Sequence, residues 1–177
     1  MAFPFKAVMA GDKRVIGTPT WSEPKGPDQR MRLIAPLYFN GRAMQGLELV
    51  GRAHADMRHR DVSFRLLYIP TDNRRSAIQM AGLDWRPKTP HGNDDAHAPP
   101  HLLGIECEGD HHHSFDLNWS AGMGRPLSGL PIAEPVEPPF QSFQELVDGV
   151  SDFFRISNAG QAIQAPWPKD LLDYDGI

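Results

Sequence analysis

Asn40-Gly41 separates two segments in which apolar and polar residues alternate, and this arrangement is typical of a β-hairpin with a two-residue turn. Residues 30–39 and 47–57 each place an apolar side chain at nearly every second position, as a strand with one buried face does. Pro36 cannot donate a ladder hydrogen bond, which predicts that the first strand lies at the edge of its sheet. Gly51 predicts a bulge in the second strand.

Three further segments have strand character: residues 62–69, 76–85 and 102–119, the last being one long strand or a bent pair broken near Gly109. Short connections with no helix between them favour an antiparallel meander. Residues 143–157 carry an apolar stripe at helical spacing, which predicts an amphipathic helix. Ser142 and Glu145 supply its N-terminal capping box, and Asn158 or Gly160 is expected to end it.

The predicted fold class is therefore α+β, with a curved antiparallel β-sheet meander of about five to seven strands and one C-terminal amphipathic helix packed on it. At 177 residues, one domain is the simplest organisation. Its predicted parts are an N-terminal arm (1–29), the sheet (30–119), a Pro/Gly-rich crossing (120–141), the helix (142–158) and a tail (159–177) that carries Trp167 and an acidic stretch at 170–175.

A single cysteine, Cys107, excludes an intrachain disulfide and is predicted to be a buried, inert thiol. The first ten residues contain Lys6 and Pro4 where a secretory signal needs an unbroken apolar run, and no segment is long enough to span a membrane. We expect a soluble, cytoplasmic protein without a membrane partner.

Charge is distributed unevenly along the chain. Residues 30–90 hold eleven Arg or Lys against five Asp or Glu, whereas residues 91–177 hold three against fourteen. Either the two halves pack together and neutralise each other, or a basic face of the sheet meets phosphate or another anion.

A histidine-rich stretch at residues 80–119 contains the candidate site. If residues 110–119 form one strand, alternation divides them between two faces. One face carries His111, His113, Phe115, Leu117 and Trp119, and the other carries His112, Ser114, Asp116 and Asn118. Asp84 ends the preceding strand, and His91 follows it closely in a loop. We therefore predict that at least two of the imidazoles of His91, His111 and His113 lie within about 8 Å of one another and of the Asp84 carboxylate.

Three interpretations of this cluster follow from the residues. His111 and His113, with a third ligand from His91, His101 or Asp84, suit a divalent metal ion such as zinc, nickel or iron. Without metal, His91, His111, His113 and Asp84 suit acid–base catalysis on a phosphodiester. The nearby Arg86, Lys88 and Asn93 would then bind the substrate, the two cations stabilising developing negative charge. The third interpretation is a hydrogen-bonded cluster that only fixes the loop.

The order of short motifs resembles a group of small uncharacterised bacterial proteins encoded in or beside toxin–antitoxin and phage-defence loci. The matching motifs are Leu83-Asp84, residues 91–94, residues 111–115 and the helix that closes on residues 152–158, and together they span about 80 of the 177 residues. This chain departs from the pattern at three positions. Gly82 stands where the group has arginine, Asp94 where it has proline, and Ser157 where it has cysteine.

The resemblance implies an α+β domain whose histidines line one site, with action on RNA in a toxin-like setting. The leading hypothesis is therefore a histidine-based phosphodiesterase that acts on RNA or another phosphate-bearing ligand. The competing hypothesis is a non-catalytic binding module for a protein or nucleic-acid partner, in which the histidine cluster is structural.

Overall fold

The computed structural model describes residues 3–70 and 74–168. The helices are α1 (Phe5–Ala10), α2 (Phe143–Phe154) and α3 (Ala159–Ala162), and residues Arg74–Ser76 form a 3₁₀ turn. The strands are β1 (Lys13–Val15), β2 (Arg30–Phe39), β3 (Arg42–His54), β4 (Val62–Tyr68), β5 (Ile78–Trp85), β6 (His91–Gly92), β7 (Glu106–Cys107), β8 (His111–His113), β9 (Trp119–Ser120), β10 (Arg125–Pro126) and β11 (Glu134–Pro135).

The main sheet is open and has seven strands in the order β1-β2-β3-β4-β5-β8-β11. All of its neighbouring pairs are antiparallel. The pairs β9–β10 and β6–β7 form two small ribbons outside it. The predicted α+β class, with an antiparallel sheet and a C-terminal helix, is confirmed.

The Asn40-Gly41 hairpin is confirmed, with φ angles of 48° and 76° that suit a type I′ turn. Its register nevertheless shifts between Tyr38 and Pro36, so that Tyr38 pairs with Ala43 but Pro36 pairs with Glu48. The irregularity includes Gly46, whose φ is 78° and whose missing side chain leaves room for the Ile69 carbonyl. This bulge sets which residues of β3 lie opposite which residues of β2.

Two expectations about these strands are wrong. Pro36 is not on an edge strand, because β1 pairs with residues 37–39 and the Ile16 N–H donates to the Pro36 carbonyl. Proline is tolerated there because it adjoins the bulge. Gly51 is not a bulge. It pairs regularly with its neighbours, and a Cβ at this position would lie 2.7 Å from the Trp21 ring, so close packing is what requires glycine.

Helix α2 covers one face of the sheet. Phe143 packs against Phe64 and Trp85, and Gly149 brings the helix close to Leu83. The Ser142 hydroxyl accepts a hydrogen bond from the Glu145 N–H, as the capping box predicts.

The expected end of this helix is wrong. The helix stops at Arg155, which is left-handed, rather than at Asn158 or Gly160. The Asn158 side chain instead bonds both backbone groups of Val15, which fastens this region to β1.

Of the two alternatives for residues 102–119, the single long strand is wrong. The chain does break near Gly109, since β7 ends at Cys107 and β8 begins at His111, but the two strands belong to different sheets. Only β7, β8 and the first residue of β9 are extended there, and residues 115–118 form a turn. The Asn118 side chain explains the turn, because it bonds both backbone groups of Ile132 and so replaces a strand ladder. The crossing at 120–141 is also more ordered than expected, since Glu134 and Pro135 pair with β8.

The loops around β6 to β10 form a second, smaller layer with its own apolar cluster of Ala98, Leu102, Leu127 and Ile132. Leu83 faces α2, so alternation along β5 directs Asp84 toward the opposite face, where His111 of the adjacent strand β8 also lies. The N-terminal arm contributes α1 and β1 to the fold. Trp167 is buried and donates to the His54 carbonyl, whereas the acidic stretch at 170–175 lies outside the described residues.

Candidate functional site

A row of polar side chains crosses five strands on the face of the sheet opposite α2. Residues that pair across antiparallel strands project to the same face, so a chain of pairings defines the row. The cross-strand row consists of Arg32, Arg52, Ser63, Asp84 and His111. It brings the basic residues of β2 and β3 onto the same surface as the predicted histidine site.

Asp84 is the centre of the site. Arg65 donates to both of its carboxylate oxygens, at 2.9 and 2.8 Å. The Nε2 atoms of His113 and His111 lie 3.1 and 3.3 Å from one of these oxygens, Oδ2. Arg65 can reach Asp84 because Gly82, its partner on β5, has no side chain. A Cβ on Gly82 would lie only 3.0 Å from the Arg65 side chain. Glycine at 82, where the resemblance expects arginine, therefore makes space for an arginine from the adjacent strand.

His91 completes the group that we call the histidine cluster: Asp84, His91, His111 and His113. Its ring centroid lies 4.7 Å from that of His113 and 5.5 Å from that of His111, and the last two are 5.2 Å apart. The predicted proximity of the imidazoles and the Asp84 carboxylate is confirmed. His112 points the other way and stacks on Phe153 of α2, as alternation along β8 requires.

Each imidazole of the cluster has one nitrogen held by an acceptor of the protein. His91 Nε2 lies 2.9 Å from the Pro131 carbonyl, His111 Nδ1 lies 2.8 Å from the Gly109 carbonyl, and His113 Nε2 faces Asp84. Since these acceptors require an N–H, they fix the proton on that nitrogen of each ring. The second nitrogen of His113, Nδ1, is buried and has no hydrogen-bond partner within residues 3–70 and 74–168.

The surroundings of the site lower the pKa values of both Asp84 and His113. Burial alone would raise the pKa of Asp84, but the contacts of its carboxylate with the His111 and His113 rings and with Arg65 hold it well below its usual range. Burial lowers the pKa of His113, and this effect outweighs the attraction of Asp84. The carboxylate is therefore charged at neutral pH, and His113 is a neutral imidazole with an available lone pair.

Asp84 lines a groove of about 730 Å³ that continues along the row. The groove is bordered by four basic residues, Lys25, Arg30, Arg32 and Arg52. Burial and the neighbouring charges of Arg74 and Arg52 lower the pKa of Arg32, which indicates a positive potential there. His111 and His113 are only 3% and 4% exposed, so Asp84 is the member of the cluster that meets the groove.

None of the predicted substrate-binding residues, Arg86, Lys88 and Asn93, lines the groove. Arg86 stacks on the Trp85 ring and donates to the Gln141 carbonyl, on the α2 side of the sheet. Lys88 is exposed, and its backbone N–H donates to Asp61. Asn93 is fully buried and bonds both backbone groups of Ala133. Its role is therefore to hold the loop that carries His91.

Two other histidines of this stretch also lie away from the cluster. His101, a predicted alternative ligand, is exposed and does not belong to the group of histidines that come together. His97 pairs with Asp95 at the surface.

The sequence reasoning missed Arg65, the arginines of the groove and a second histidine–carboxylate pair. His54 Nε2 lies 3.1 Å from Asp61, and both residues line the groove, away from β8. The signal for these residues was their outward position in the alternating strands, but only the register of four strands shows that they share a surface.

Comparisons with known proteins assign this chain to no family. No family model matches the chain, and neither the curated proteins nor the solved structures contain a significant match. Within the described residues, no helix has both the length and the apolar character needed to cross a membrane.

Proposed function

We propose that this protein is a hydrolase that binds a phosphate-bearing ligand, RNA in the first instance, in the basic groove and cleaves a phosphodiester at the histidine cluster. The observation that carries this proposal is the continuity of the cross-strand row. Arg32 and Arg52 lie at one end of it, and Asp84 and His111 lie at the other, on one face of one sheet.

The arginines of the groove suit phosphate. A guanidinium binds two phosphate oxygens at once, and such paired hydrogen bonds are strong because both partners are charged. Arg32 and Arg52 form no ion pair with the residues that the structure describes. Burial and the repulsion of Arg74 and Arg52 lower the pKa of Arg32, and an anion in the groove would relieve that repulsion.

The cluster supplies the chemical step. Cleavage of a phosphodiester needs a group that takes a proton from the attacking oxygen, and either an imidazole base or a metal-bound hydroxide can supply it. Asp84 orients His113 and lies beside His111, and the groove arginines would stabilise the charge that develops on the phosphoryl oxygens. The unbonded Nδ1 of His113 favours the metal-bound hydroxide.

A second candidate function is supported by the burial of His111 and His113. If the cluster only joins the second layer to the sheet, the groove is a binding surface and the protein is a non-catalytic module for an anionic partner. This candidate predicts RNA binding with a steep salt dependence and no cleavage.

The deciding experiment incubates end-labelled RNA with tag-free protein, its His113→Ala variant and an Arg32→Gln/Arg52→Gln variant. The hydrolase proposal predicts cleavage by the wild type and loss of cleavage in His113→Ala with RNA affinity retained. It also predicts at least about tenfold weaker RNA binding in the double arginine variant. Arg125→Gln is the control, because Arg125 lies on β10 outside the groove. Intact RNA with the wild-type protein, with or without added Zn²⁺, Mg²⁺ or Mn²⁺, would overturn the hydrolase proposal.

A toxin-like action in the cytoplasm belongs to the same proposal. It is supported by the resemblance of the motifs and by the free, buried thiol of Cys107, which suits a reducing compartment. Expression in a bacterial host is then expected to slow growth, and the His113→Ala variant is expected not to do so.

A further inference from the structure

The three imidazoles of the cluster are arranged as metal ligands. One ring nitrogen from each of His91, His111 and His113 lies within 4.8 Å of one from each of the others. We propose that these three histidines bind one divalent transition-metal ion, with zinc the first candidate. The inference deepens the proposed function, and its catalytic consequence rests on that function, but metal binding itself is independent of any substrate.

The outer hydrogen bonds of the three rings support this proposal. A histidine that binds a metal through one nitrogen almost always donates its other N–H to a carbonyl or a carboxylate, which fixes the tautomer and the ring orientation. His91 has the Pro131 carbonyl for this purpose, His111 has the Gly109 carbonyl, and His113 has Asp84. Each ring therefore has a second nitrogen that carries a lone pair.

Two of the free nitrogens need a partner. His113 Nδ1 is buried without any hydrogen bond to the described residues, which is costly for a polar atom. His111 Nε2 lies 3.3 Å from Asp84 Oδ2, although the Gly109 carbonyl already fixes the proton on Nδ1. If the His111 ring is neutral, two lone pairs face each other in that contact unless a cation lies between them. A metal ion satisfies both nitrogens, and the Asp84 carboxylate balances part of its charge.

The donor set selects the class of ion. Imidazoles with a carboxylate nearby suit Zn²⁺, Co²⁺, Ni²⁺ or Cu²⁺, whereas Mg²⁺ and Ca²⁺ prefer oxygen ligands. Zinc–nitrogen distances of about 2.0–2.1 Å require the three nitrogens to draw together from their present separation. His91 can make that movement, because it is half-buried on a two-residue strand outside the main sheet. Bound zinc would supply a hydroxide at neutral pH, which is the activated nucleophile that phosphodiester hydrolysis needs.

The test measures zinc binding to tag-free protein that has first been stripped with a chelator. Competition with a chromophoric chelator gives the affinity, and the cobalt-substituted protein gives the ligand geometry from its visible spectrum. We expect one ion per chain and at least about a 100-fold loss of affinity in His91→Ala and in His113→Ala. His97→Ala and His101→Ala are matched controls, because these two exposed histidines lie in the same loop region, and their affinities are expected to stay within about twofold.

His91→Ala is the primary variant, because His91 is the least buried ligand and its loss is least harmful to folding. Circular dichroism confirms that each variant is folded, and X-ray absorption at the zinc edge of the wild type counts imidazole ligands without any substitution. Failure of the wild type to bind zinc, equal losses in the His97 and His101 variants, or a zinc edge without three imidazoles would overturn the proposal. Zinc binding without RNA cleavage would leave the metal site standing and would remove the hydrolase proposal. RNA cleavage by metal-free protein would leave the hydrolase proposal standing and would overturn the catalytic role of the ion.

Discussion

Removing the charge of Asp84 is expected to destabilise the fold strongly. In Asp84→Asn, the guanidinium of Arg65 loses a partner that it contacts through two hydrogen bonds, in a region where the two side chains are only 22% and 13% exposed. Breaking a buried ion pair costs about 3–5 kcal/mol. Because Arg65 keeps some contact with solvent, we expect the low end of this range, a loss of about 3 kcal/mol in the free energy of unfolding.

Urea unfolding followed by tryptophan fluorescence measures this loss, since the indole of Trp85 adjoins the site in sequence and is fully buried. Glu48→Gln is the matched control. It breaks the Arg74–Glu48 pair, whose arginine is 43% exposed, and should cost no more than about 1 kcal/mol. The Arg65→Gln/Asp84→Asn double variant should lose less than the sum of the single losses, because both remove the same interaction. Equal losses in Asp84→Asn and Glu48→Gln would refute a buried, tightly coupled pair at the centre of the site.

Asn93→Ala removes two buried hydrogen bonds to Ala133 and should lower the free energy of unfolding by about 2–3 kcal/mol. Because Asn93 holds the loop that carries His91, amide exchange around His91 should also become faster. Unchanged amide exchange there would contradict this anchoring role. Gly51→Ala places a methyl group against two aromatic rings and should cost about 1–3 kcal/mol, whereas Gly109→Ala meets nothing within 4 Å and should be nearly neutral in the same urea assay. Burial lowers the pKa of Lys13 to about 8 from 10.5, so the native state loses this proton at a lower pH than the unfolded chain does. The free energy of unfolding should therefore rise between about pH 8 and 10.5, relative to that of a Lys13→Met variant. A fall in the free energy of unfolding over that interval would show that the carbonyls around the ammonium raise the pKa of Lys13 more than burial lowers it.

Alternation was sufficient to locate the strands because one face of the sheet is buried. β2, β4 and β5 therefore lie within about two residues of their predicted bounds. The same rule correctly placed His111 and His113 on one face. That face is the one opposite α2, where both histidines lie beside Asp84.

The composition of the site was less predictable because it depends on register. A regular two-residue hairpin would pair Arg32 with a core leucine, and only the bulge around Gly46 sets Arg32 beside Arg52. Arg65 reaches Asp84 over Gly82, and neither residue carries a local signal for that contact. The strands of the second layer are only two residues long, and the side chains of Asn93 and Asn118 connect its segments, so periodicity does not show it.

The most direct test of a single site formed by the groove and the histidine cluster is an NMR titration of metal-free protein with a 2′-O-methyl RNA oligonucleotide. Neither a 2′-hydroxyl nor a metal-bound hydroxide is then present to attack the phosphodiester. The side-chain Nε–H signals of Arg32 and Arg52 and the imidazole signals of His91 and His113 report on the two ends of the site. One site requires that all four shift together and saturate at the same RNA concentration, with Arg125 unchanged. Shifts confined to the arginines, or to residues outside the groove, would contradict a shared site for phosphate binding and chemistry.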